Sequence, residues 1–168
     1  PRPDREAEPV FDICFNARVT VYETYRKDPI FVRIGDNRWM FIGDLQEIGH
    51  WPEDPLEFIE RLVSVGSYVW GHRDGLRWDC SSIHQAVHLA SGRFCFRDAD
   101  QQENDPGLGE CIAFTEDFDG LRRYDGIYFP KHVAIMVSPT MALHAKGVFE
   151  KHGIEILGAK PDVIRRAE

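Results

Sequence analysis

The sequence predicts an α+β protein, with a small all-β segment followed by helices that pack on an antiparallel sheet. Three observations predict it. Short alternating runs rich in β-branched and aromatic residues fill Val19–Ile42, with turn residues between them. Two stretches carrying helix start and stop signals come next, near 54–66 and 79–92. Short β runs then return from Gly126 onward, joined by links too short for crossover helices, which favours antiparallel pairing.

Residues 1–9 are charged and carry prolines, and read as a loosely held lead-in. Val19-Thr20-Val21-Tyr22 and Ile30-Phe31-Val32-Arg33-Ile34 read as strands, and a Gly35-Asp36-Asn37 turn leads into a third, Trp39-Met40-Phe41-Ile42. Strands of this length joined by tight turns suggest a small barrel or curled sheet. Gly49, Pro52 and Pro55 break the pattern, so the chain is divided into residues 1–48 and 49–168. Asp54 is placed as N-cap, Pro55 at the first helical position and Glu57 at the capping-box position. Leu56, Ile59, Leu62 and Val63 then share one helical face, and Gly66 supplies a stop.

A second helix is expected from Asp79 to Ala90, with Ile83, Ala86, Val87 and Ala90 on its apolar face and Gly92 at its end. Residues 97–110 are polar, contain Pro106, Gly107 and Gly109, and read as a surface loop. Strands follow at Gly126–Phe129, His132–Val137, Ala142–Ala145 and Gly153–Leu157.

Charge and cysteine content narrow the function classes. A net charge of -8 disfavours a broad electrostatic grip on nucleic acid. No apolar run approaches the ~20 residues that span a bilayer, and no charged start followed by an apolar stretch marks a leader. The four cysteines form no CxxC pair and no disulfide framework. Cys14, Cys95 and Cys111 sit in apolar strings and are assigned to the core, as are Trp51, Trp70 and Trp78, although Trp70 and Trp78 also flank the motif region.

Cys80 is different because it opens the second helix. Unpaired backbone N–H groups and the positive end of the helix dipole there favour thiolate over thiol. His132 begins a strand on which His132, Ala134 and Met136 share a face that is small near the histidine, leaving room for a helix or a substrate. His144 lies twelve residues further on, in the next strand of a hairpin, where the two imidazoles can be cross-strand neighbours. A thiol, a histidine and a third polar group to orient it is what nucleophilic catalysis requires. A second reading is zinc, since Cys80, His84 and His88 are spaced four apart on one helix.

Tyr68-Val69-Trp70-Gly71, Asp79-Cys80-Ser81, Tyr124-Asp125-Gly126, His132-Val133-Ala134-Ile135 and Leu143-His144-Ala145 together resemble, in order, the motifs of the NlpC-type cell-wall cysteine peptidases. The resemblance implies a papain-like fold, with a nucleophilic cysteine opening a helix that packs on an antiparallel sheet. It also implies hydrolysis of peptidoglycan stem peptides, typically between D-γ-glutamate and the following diamino acid. On that basis Cys80 is the nucleophile, His132 the general base and His144 the orienting residue. Tyr68 supplies a hydroxyl near the oxyanion, and Asp79 and Ser81 line the groove.

Residues 19–45 resemble the later strands of a bacterial SH3-like module that precedes this domain in relatives. No cofactor or metal is implied. The partner is a stem peptide or muropeptide, and the setting is the cell envelope or outside the cell, with cytoplasmic recycling as the alternative. Ser82, His72 and Ala134 stand where the family usually has glycine, so the groove is expected to be reshaped. A catalytically impaired wall-binding domain of the same fold is the competing interpretation.

Overall fold

The computed structural model describes residues 3–113, 119–145, 149–153 and 163–166. The chain forms two compact units, Pro1–Trp51 and Pro52–Glu168.

The first unit is a three-stranded antiparallel sheet of β1 (Glu23–Thr24), β2 (Phe31–Gly35) and β3 (Arg38–Phe41), in that order. The turn between β2 and β3 forms as expected, with Asn37 in the left-handed region at φ 54°. The strand expected at 19–22 does not form. Val21 and Tyr22 are half exposed, so their alternation buries no face, and pairing starts only at Glu23 opposite Arg33. The lead-in is more tied than its composition suggests, since Arg5 donates to Asp28 at 2.9 Å.

The second unit begins with α1 (Pro55–Val63). Asp54 accepts from the Glu57 N–H at 2.9 Å, Pro55 takes the first turn, and Leu56, Ile59 and Val63 are buried. The Glu57 side chain pairs with Arg61 at 3.3 Å rather than closing a capping box. Gly66 serves packing rather than a left-handed stop. A Cβ there would lie 2.8 Å from the Leu76 carbonyl oxygen and 2.9 Å from the Trp78 indole. That close approach lets β4 (Ser67–Tyr68) run parallel to β5 (Arg77–Trp78), with Trp78 wholly buried.

Helix α2 (Cys80–Ala90) follows, and it is buried almost all round rather than on one stripe. The polar stretch expected to be a surface loop contains a short helix, α3 (Ala99–Glu103), and a 3-10 turn at Pro106–Leu108. Polarity misled here because the Gln102 amide is buried and donates to the carbonyls of Ser81 and Phe96 at 2.9 and 2.8 Å.

The main sheet is built from β6 (Glu110–Cys111), β7 (Gly126–Phe129), β8 (His132–Ser138), β9 (Met141–Ala145), β10 (Phe149–Gly153) and β11 (Val163–Arg166). Its order is β10-β9-β8-β7-β11-β6, antiparallel throughout, in agreement with the short links. The last expected strand, Gly153–Leu157, lies outside the described residues beyond Gly153. Lys131, at φ 62°, turns β7 into β8. Asp125 is buried, takes two hydrogen bonds from Arg166 at 2.6 and 3.0 Å, and so fastens β11 to the segment entering β7.

The two faces of this sheet differ. Ile127, Phe129, Ala134, Met136, Ala142 and Ile164 form an apolar cluster with Leu121 on one face. Helix α2 covers the other, where His84 stands so close to Gly126 that a Cβ on that glycine would lie 2.7 Å from its Nε2. By alternation, His132 and His144 share the first face with Ala134.

Two cysteine assignments are corrected. Cys14 and Cys111 are exposed, while Cys95 is buried. Cys111 ends a two-residue strand at the sheet edge, where its apolar neighbours are not enough to cover it. Trp70 is 83% exposed and Trp51 47%, so only Trp78 of the three packs as expected.

Candidate active site

The start of α2 is held by a reciprocal cap. Asp79 accepts from the Ser82 N–H at 2.8 Å, while Ser82 Oγ accepts from the Asp79 N–H at 2.9 Å. Serine at position 82 thus has a structural use, and at 1% exposure it does not narrow a groove. Ala134, opposite His144 in the ladder, is buried as well. Of the three glycine replacements, only His72 reaches the surface, 3.7 Å from Asp74.

Asp79 and Ser81 are buried and engaged rather than open to a groove. Arg97 donates to both carboxylate oxygens of Asp79, at 3.0 and 2.6 Å, and to Ser81 Oγ at 2.8 Å. The Gly71 N–H adds a further bond to Asp79 at 2.8 Å. Burial works to raise the Asp79 carboxyl, but Arg97 and the N–H groups of Ser82 and Gly71 outweigh it and hold the group below its ordinary value.

Cys80 is part-buried at the first helical position. The backbone N–H of Val133, and those of Ser81 and Cys80 itself, work to lower its pKa. Strand geometry explains why Val133 is available. Met136 exchanges backbone bonds with Tyr124 and Asp125 on the β7 side, so by alternation the Val133 N–H turns toward β9. The β8–β9 ladder begins only at Ala134 opposite His144, which leaves that donor to the thiol.

The helix start does not deliver a low thiol pKa. Burial, and then the Asp79 carboxylate, push Cys80 up, and the three N–H groups only partly offset them.

The imidazoles of His132 and His144 stand edge-on, with ring centroids 5.4 Å apart and planes at 88°. They are diagonal neighbours rather than directly opposed, because His144 pairs with Ala134. Tyr68 is brought to the same place from β4. Burial first, then the charges of Cys80 and Asp79, raise its phenol, which stays protonated and able to donate.

The zinc reading fails on geometry. Among the described residues, no group of three His, Cys, Asp or Glu side chains is arranged to hold a metal ion. His84 turns inward to Cys95 Sγ at 4.0 Å and to the Tyr128 hydroxyl at 3.4 Å. Burial, aided by His88, holds the His84 imidazole well below its ordinary value. Burial also lowers His88, with Arg93, to about 4.

Sequence reasoning missed Arg97, Gln102 and the Val133 N–H. A buried N-cap aspartate calls for a cation, and Arg97 stands just ahead of α3; that was the signal available for it. The other two act through backbone groups and leave no sequence trace.

No protein-family model matches the chain. It is 33% identical over 78 residues to dipeptidyl-peptidase 6 of Lysinibacillus sphaericus, a match spanning 46% of this chain and 27% of that protein. An NlpC/P60 family protein from Bacillus cereus shares its fold with a TM-score of 0.71 at 18% identity, over 92% of this chain and 55% of the other. RipD of Mycobacterium tuberculosis, a non-catalytic NlpC/p60 domain protein adapted to peptidoglycan binding, aligns with a TM-score of 0.53 at 15% identity, over 74% of this chain and all of the other. The chain therefore has the NlpC/P60 fold, and it spans about a quarter of the curated relative it matches.

Proposed function

We propose that this chain is a cysteine peptidase that hydrolyses peptidoglycan stem peptides between D-γ-glutamate and a diamino acid, through a thioester at Cys80. The observation that carries the reading is the edge-on pair of His132 and His144 on the strands that follow, together with the action of the Val133 N–H, next to His132 in the chain, on the Cys80 thiol. The likeness to a dipeptidyl-peptidase supports the reaction class. The NlpC/P60 fold shared with a peptidoglycan-binding protein supports the substrate. Residues 1–48 are read as the SH3-like module, and the envelope or extracellular space as the place of action.

His132 acts as the general base. It takes the S–H proton as sulfur attacks the scissile carbonyl. The oxyanion is held by the Cys80 N–H at the start of α2, with the Tyr68 hydroxyl as second donor. His132 returns the proton to the departing amine, and His144 orients it throughout. Water, deprotonated by His132, then cleaves the thioester and restores the thiol.

A second reading, a binding domain of the same fold without turnover, is favoured by the upward push on Cys80. Digestion of defined muropeptides, followed by mass spectrometry, separates the two. Release of the diamino-acid fragment by the native chain and none by Cys80→Ala is expected. Binding without cleavage would replace the first reading by the second, and cleavage by Cys80→Ala would sink it.

A further inference from the structure

We infer that Arg97 is a positioning residue for the nucleophile: its guanidinium clamps Asp79, fixing the cap of α2 and cancelling the one carboxylate charge held against Cys80. The inference rests on the reading of Cys80 as nucleophile, but its test needs no turnover.

Three facts carry it. Asp79 is the residue immediately before Cys80 and is 4% exposed, so its charge is poorly screened by water. Both of its oxygens are taken by Arg97, at 3.0 and 2.6 Å, while the same carboxylate caps the Ser82 N–H at 2.8 Å. Arg97 is itself fixed, because its NH1 also donates to Ser81 Oγ at 2.8 Å. The backbone just before Arg97 is tied to the helix too, since Gln102 bridges the carbonyls of Phe96 and Ser81. A two-point clamp on the cap residue sets both where the first turn of α2 lies and how much negative charge the sulfur feels.

Among the described residues, Tyr68 on β4 senses the Cys80 charge, and the candidate base His132 starts β8 with His144 beside it. Tyr68 carries no charge near neutrality, and the histidines are unchanged in the variants below. Differences among those variants therefore report the Asp79–Arg97 pair.

The experiment is the pH dependence of iodoacetamide alkylation in the full chain, read on the Cys80-bearing peptide by mass spectrometry. This separates Cys80 from the exposed Cys14 and Cys111. Arg97→Gln leaves Asp79 uncancelled, and its alkylation midpoint should rise by roughly one pH unit. Asp79→Asn, which keeps a capping oxygen but no charge, should fall by a similar amount. The double variant should lie between them, and Arg97→Lys should stay near the native midpoint.

A merely structural Arg97 predicts something else, with Arg97→Lys as damaged as Arg97→Gln and no return in the double variant. That pattern, or a common midpoint in all four, overturns the inference. If Arg97→Gln fails to fold, the comparison of Asp79→Asn with the double variant still decides it: equal midpoints refute the charge role. Normal alkylation shifts with no peptide cleavage would refute the peptidase and leave this inference standing.

Discussion

Acid should loosen the second unit through His88. The ring is 5% exposed, tilted against His84 on the same helix with ring centroids 4.7 Å apart, and held neutral with its pKa lowered from 6.5 to about 4. An unfolded chain takes up the proton near 6.5, whereas the folded one refuses it until about 4. The folded state therefore has its full stability above the unfolded value and loses it as pH falls from 6.5 toward 4. At about 1.4 kcal/mol per decade, His88 alone accounts for about 3 kcal/mol across that window. His84, lowered in the same direction, adds to the slope.

The carboxylates of Asp54, Asp74 and Asp79 are held below their ordinary value of 3.8, so their contribution is lost only at lower pH. The assay is urea unfolding followed by far-UV circular dichroism between pH 7 and 4, for the native chain and His88→Gln. The variant should lose about 3 kcal/mol less over that range, whatever its stability at pH 7. Parallel curves for the two proteins would refute the reasoning, since they would mean that His88 carries no protonation penalty.

Two further outcomes follow from packing. Gly126→Ala places a methyl 2.7 Å from His84 Nε2 and 3.3 Å from the Tyr128 ring, and should cost about 1–3 kcal/mol in the same unfolding assay. Thiol titration of the native chain should show Cys14 and Cys111 reacting first and Cys80 more slowly. Cys95, 2% exposed and pushed by burial up to about 12, should react only after unfolding.

Much of the second unit was legible because its signals are local. Asp54 and Pro55 announce α1, and Asp79 announces α2, through bonds that span three residues. The antiparallel sheet was legible from link length alone, and the shared face of His132 and His144 from alternation. What stayed hidden depends on distance along the chain. Arg97 reaches back 18 residues to Asp79, and Gln102 reaches 21 to Ser81, so neither leaves a periodic trace. The upward push on the Cys80 thiol was hidden for a related reason. A helix start is visible in sequence, but the burial of the sulfur beside Asp79 is not. Exposure of Cys14, Cys111 and Trp70 was misread because apolar neighbours in a string do not establish that anything covers them.

The location of Cys80 and His132 in one compact unit has a consequence for kinetics. Where a nucleophile and its base stand on separate moving bodies, each catalytic cycle must first bring them together, and that closure limits the rate. Here α2, which begins at Cys80, and β8, which begins at His132, lie within one compact unit. If the proposed peptidase reaction holds, no closure between moving bodies is needed before it, so turnover should be insensitive to solvent viscosity up to the step at which substrate arrives or product leaves.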